Sequence, residues 1–224
     1  RDWSSDVCLP ICMVNDVLVR MRMPQVTTVN ENVVSTLVGK YINDAKRQVA
    51  DAYDWDAFNT AITITTVSGQ QTGYTLTGAG IRFKVINVIN TSRYYNLTPI
   101  SHEMWNNYTY TTPTVVSAFP ENYVLEGVNS SGDMGVKLWP SPDGVYNLRF
   151  SLVVPETNLV DDNDTTKLGS EPIVLGALAR ALVERGEDGG MTSSEAYTLY
   201  KAALADLISL ELARSPENDA FEAV

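Results

Sequence analysis

Apolar and polar positions divide the chain into two helical zones with strands between them. Val7, Ile11, Val14, Leu18 and Met21 recur every three or four residues, one stripe along a helix that starts after Ser4 or Ser5 and runs to about Met23. Pro10 fits only where that helix begins or bends, and Pro24 stops it. A second helix is expected from about Glu31 to Tyr53, with Val34, Leu37, Val38, Tyr41, Ile42, Ala45, Val49 and Ala52 inside and Lys40, Asp44, Lys46, Arg47 and Asp51 in water. The period then changes to two. Ala61 to Val67 alternates with its threonines outward, and Tyr74 to Thr77, Ile81 to Ile89 and Ser92 to Ile100 continue as strands. A helical turn is expected over Ser101 to Asn107.

Pro120 to Pro155 is the stretch around which the rest is arranged. Tyr123 to Leu125, Val136 to Trp139 and Val145 to Val154 are separated by Gly-Ser-Asp and Pro-Ser-Pro-Asp-Gly turns, which predicts a three-stranded antiparallel meander. Residues 156–171 are polar and read as a loop. Two closing helices follow. Pro172 suits the first turn of one, with Ser170 as its cap, and it runs to about Glu184. Thr192-Ser193-Ser194-Glu195 is a capping box for the other, whose buried stripe is expected at Ala196, Leu199, Tyr200, Ala203, Leu207, Leu210 and Ala213 or their neighbours. The expected class is α+β, a four-helix bundle formed by the N- and C-terminal helix pairs with an inserted antiparallel β domain. The boundaries are 1–58 and 170–213 for the bundle, 59–169 for the β domain and 214–224 for a C-terminal arm.

The chemistry of the chain offers little for catalysis. Its 224 residues are enough to fold without a disulfide or metal, and the net charge of −11 argues against gripping nucleic acid through phosphates. Cys8 and Cys12 are expected to be small buried residues, and with His102 the only histidine they make no zinc set. No cofactor is expected. The start lacks the pattern of a signal peptide and Val7 to Val14 is too short to span a bilayer, so an intracellular origin and no membrane contact are expected. Asp161, Asp162, Asp164 and Glu171 lack the spacing of a calcium loop and read as a solvated turn. His102 beside Glu103 and Trp105 reads as a surface or interface histidine, and Glu184, Glu187 and Asp188 as a solvated helix end. Trp55 and Trp139 are expected to plug joins between helices and sheet.

Two N-terminal helices ending in Tyr53-Asp54-Trp55-Asp56, a β region with Phe119-Pro120-Glu121-Asn122-Tyr123-Val124-Leu125-Glu126-Gly127, the hairpin Val136-Lys137-Leu138-Trp139-Pro140-Ser141-Pro142-Asp143-Gly144 and a closing helix pair follow one another in this order. This order resembles the head-to-tail adaptor proteins of tailed bacteriophages, including the tail tubular protein A of short-tailed phages. The resemblance implies a structural virion protein without catalysis, made in the host cytoplasm and placed at the head–tail junction. Its copies would form a homo-oligomeric ring of about twelve that meets the portal protein on one side and a tail or nozzle protein on the other. DNA would pass through without specific binding, past an acidic lining. The arm would dock on the portal through Arg214, Pro216, Phe221 and Val224. Two other readings stand beside it: another phage tail or baseplate subunit, or a carbohydrate-binding β-sandwich with coplanar aromatics on an exposed face.

Overall fold

The computed structural model describes residues 9–111, 114–186 and 192–214. In chain order the helices and strands are α1 (Pro10–Arg20), α2 (Val33–Ala52), β1 (Asn59–Thr65), β2 (Tyr74–Thr75), β3 (Lys84–Asn90), β4 (Tyr95–Asn96), β5 (Thr98–Pro99), α3 (His102–Tyr110), β6 (Ser117–Ala118), β7 (Asn122–Val128), β8 (Met134–Trp139), β9 (Ser141–Pro142), β10 (Asn147–Val153), α4 (Ser170–Arg185) and α5 (Ser193–Arg214). The chain divides into two compact units, one of Phe58–Val154 and one built from the flanking parts on both sides. The class is α+β, with five α-helices among the described residues and mainly antiparallel sheets.

In the helical unit α1 begins at Pro10, whose ring occupies the first turn, where a missing N–H costs nothing. α2 is capped by Asn32, whose side chain accepts from Ser35 N–H while the Ser35 hydroxyl accepts from Asn32 N–H. The fourth helix is enclosed on every side. Gly169 rather than Ser170 is its N-cap, and the eight consecutive residues from Pro172 to Ala179, with Ala181, are buried, which is more than two turns and therefore every direction around the axis. α4 packs on α1, α2 and α5.

The segment from Pro155 to Gly169, read as the end of the β region, belongs with the helices. Asn43 donates to Leu159 C=O and accepts from its N–H, Asp162 Oδ1 accepts from Val29 N–H at 2.9 Å, and Glu156 lies 3.4 Å from Lys46 Nζ. Lys46, expected in water, is therefore buried, its amine also donating to Thr157 C=O. Glu156 in turn accepts from Lys167 N–H and the Thr166 hydroxyl.

The β unit contains two four-stranded sheets, ordered β1-β10-β3-β4 and β2-β8-β7-β5, and a short β6-β9 pair. Two pairings, β5 with β7 and β6 with β9, are parallel. β7 and β8 form the expected hairpin, but β10 leaves the meander to lie between β1 and β3 in the other sheet. The reason is visible in its alternation: Leu148, Phe150 and Leu152 face a core shared with Tyr123, Val136 and Leu138 of the second sheet, so the two sheets need one another to bury either face. Tyr123 and Phe150 meet edge to face at 5.6 Å across that core. α3 runs three residues further than the expected turn, capped by Ser101 accepting from Met104 N–H.

Candidate functional site

α5 is capped within itself at its start and fixed to the rest of its unit further along. Its N-terminus forms the expected capping box, with Thr192 N–H donating to Glu195 Oε2 at 2.8 Å and Glu195 N–H to Thr192 Oγ1 at 3.2 Å. In the middle it lies so close to α4 that a Cβ on Gly176 would stand 3.2 Å from the Tyr200 ring and 3.1 Å from Ala45 of α2. The Tyr200 phenol is buried, its pKa raised by that burial. Near the C-terminus the buried carboxylate of Glu211 accepts from Asp56 N–H at 2.9 Å and pairs with Arg214 at 3.3 Å.

Between these anchors the helix is open on one side. Of its residues only Ala196, Tyr200 and Glu211 are fully buried. Leu199, Leu210 and Ala213, expected inside, are exposed, and Leu212 is 49% exposed. The physical reason is that α5 carries apolar residues all round and packs chiefly on α4, so one flank is covered and the other is not.

A second uncovered apolar surface lies where the end of α1, the start of α2 and the end of α4 meet. Met21, Met23, Val34, Leu37, Tyr41 and Ala181 line a groove of about 310 Å³, with Glu184 and Arg185 at its wall. Arg185 holds the α1 end by donating to Met21 C=O at 2.7 Å. Burial raises the Tyr41 phenol pKa, and the nearby carboxylates of Glu184 and Asp44 raise it further.

Of the residues expected to bind a partner, Arg214 ends α5, exposed and paired with Glu211. Pro216, Phe221 and Val224 lie outside the described residues, as do Cys8, Glu187 and Asp188. Cys12, expected to be buried, is exposed, because it falls on the outer side of α1. The aspartates of the 161–164 turn hold backbone: Asp164 Oδ2 accepts from Val160 and Asp161 N–H, which lowers its pKa, and Asp162 accepts from Val29. His102 is exposed at the start of α3.

Trp55 is buried in the helical unit, donating to Val49 C=O, whereas Trp139 covers a join inside the β unit by stacking on Tyr108 of α3 at 4.4 Å. Trp105 is buried with Lys137 4.6 Å over its ring. The faces of Trp139 and Trp105 are thus occupied by Tyr108 and Lys137, which takes both out of any flat platform for a saccharide.

A helical unit drawn from both flanks of the chain, an inserted two-sheet unit and wide uncovered apolar surface make this a protein built for assembly. A family model described as SU10 adaptor protein matches residues 14–220, and the chain belongs to that family, which makes it an adaptor-type structural protein of the bacteriophage virion. No curated protein matches the chain. Among the described residues no helix is long and apolar enough to cross a membrane.

Proposed function

We propose that the protein is a ring-forming adaptor between portal and tail, similar in role to the tail tubular protein A of short-tailed phages. In this reading α1, α2, α4 and α5 act as one four-helix bundle that meets the portal, and the β unit meets the tail or nozzle protein. Arg214 to Val224, with Phe221, is the arm that reaches the portal. The observation that supports assembly is α5, a 22-residue helix apolar on all sides with only three residues fully buried. Such a helix belongs inside a larger body. Charge fits the same role: −11 per copy, over about twelve copies, gives a ring of roughly −130, which repels DNA phosphates and lets the duplex slide.

The test is the mass of the purified protein in solution, alone and mixed with portal particles from the same phage. Uptake of about twelve copies per portal, lost on truncation before Arg214, is the expected result. A protein that ignores the portal sinks the reading and leaves another tail or baseplate subunit in its place.

A further inference from the structure

The sheet β1-β10-β3-β4 ends on a strand that is paired on one side only. The other outer strands of the two four-stranded sheets, β2, β4 and β5, have two residues each, and β5 ends on a proline, so they offer little to a further strand. β1 is seven residues long, Asn59-Thr60-Ala61-Ile62-Thr63-Ile64-Thr65. It has none of the charges or prolines with which proteins blunt an edge.

Its register fixes which groups are open. At the two ends of the β1–β10 ladder Val154 N–H donates to Phe58 C=O and Thr66 N–H to Tyr146 C=O, so the even-numbered residues turn their N–H and C=O toward β10. The odd-numbered residues turn theirs away. Among the described residues no backbone or side chain bonds the outward N–H and C=O of Ala61, Thr63 and Thr65. Their side chains are exposed, whereas Ile64 is buried and Ile62 packs half-buried against the core shared by the two sheets.

We infer that β1 pairs with β1 of a second copy, antiparallel about a two-fold axis at Thr63. In that register Thr63 faces Thr63 and Ala61 faces Thr65, so each open N–H of one copy meets an open C=O of the other. Ile62 falls opposite Ile64 on the core side. A slip by one residue would set outward groups against groups already used by β10. The occupant is a second copy because the strand is its own complement: run in reverse, its open groups, threonines and isoleucines meet like positions, and no like charges face one another. A head-to-tail match has no second strand to use, since β1 is the one long free edge among the described residues. Arg149, beside Thr63 on β10, stands roughly 14 Å from its counterpart, three strand spacings away, where salt screens the repulsion. The contact closes at two copies, so it belongs to the free protein and is separate from the contacts of a ring.

Amide exchange of the wild type over a range of concentrations reads the edge directly, with the mass followed by sedimentation. Ile62 and Ile64 should be protected throughout. Ala61, Thr63 and Thr65 should gain protection about tenfold or more as a dimer forms, because only then do their N–H groups find acceptors. Thr63→Pro removes one outward N–H and no bond to β10, so it should weaken the dimer about tenfold or more and leave the melt of dilute protein unchanged. Thr63→Lys should weaken it as well, by setting like charges directly opposite one another. A dimer that survives both substitutions overturns the pairing. So do odd-numbered amides that stay open in a protein of single-copy mass, and amides that close only when portal or tail particles are added, which would give the edge to a strand of another chain. Uptake by portal particles is measured apart from this and decides the ring reading on its own.

Discussion

α4 and α5 lie against one another, and both carry apolar residues on every side, yet their surroundings differ. α4 is enclosed by α1, α2 and α5, and its own sequence accounts for this: Gly176, Ala177, Ala179 and Ala181 let neighbours approach closely. α5 has equal cause to be enclosed and has α4 as its main neighbour. An apolar helix inside a unit explains the stability of that unit. One at its edge points outward, to a body the described residues do not supply.

One leucine on each helix separates the two environments most strongly. Leu178 of α4 is 2% exposed, and Leu178→Ala should destabilise the isolated subunit by about 3 kcal/mol through lost burial and the cavity left behind. Leu210 of α5 is 58% exposed, and Leu210→Ala should change the same melt by less than about 0.5 kcal/mol. In the proposed assembly the order should narrow, because a body seated on α5 would cover Leu210. Equal effects of the two changes on a monomer would mean that α5 is already covered, and the contrast between the helices would fall.

Next in size is the clamp that closes the segment 155–169 over α2 and leads it into α4. Lys46→Ala leaves Glu156 without its cation and should cost about 2 kcal/mol, less than a fully buried pair because the Glu156 side chain is partly open to solvent. Lys46→Met, which keeps the stem, should cost less. Burial lowers the Lys46 pKa against the pull of Glu156. The folded state therefore sheds this proton earlier than the unfolded chain, and between the lowered value and about 10.4 the contribution of Lys46 to stability rises with pH. Thermal melts from pH 7 to 10 should show this upward slope in the wild type and not in Lys46→Met. A slope that survives the substitution assigns it elsewhere.

Lys46 also shows where the sequence stops being informative. It occupies a polar position in the α2 pattern, and its partner Glu156 is 110 residues away, so no local period reveals the pair. The α5 capping box was legible because its residues are three apart and need nothing else. β10 showed its inward face, Leu148, Phe150 and Leu152, but alternation states which face is buried and not which sheet the strand joins. The α5 surface was half legible: the apolar residues could be seen, and which stripe α4 covers could not. The groove escaped because its lining comes from three helices, each of which alone shows only a stripe.

The smallest effect concerns the entry to α4. Asp164 accepts from Val160 and Asp161 N–H at 2.6 and 2.8 Å, and Glu31, just before α2, accepts from Thr27 N–H at 2.6 Å. These backbone bonds, chief among the causes in each case, lower both pKa values. A carboxylate with a depressed folded pKa contributes stability that is complete above its unfolded value and lost as pH falls through the folded one. Both contributions should therefore be intact at neutral pH and disappear below about pH 4. Amide exchange reads this locally: Val160 and Asp161 should lose protection on acidification while the α4 amides keep theirs, and Asp164→Asn should show the same loss already at pH 7. If the α4 amides open together with the turn, enclosure of α4 depends on that turn, and the contrast with α5 rests on the 155–169 segment as much as on the helices themselves.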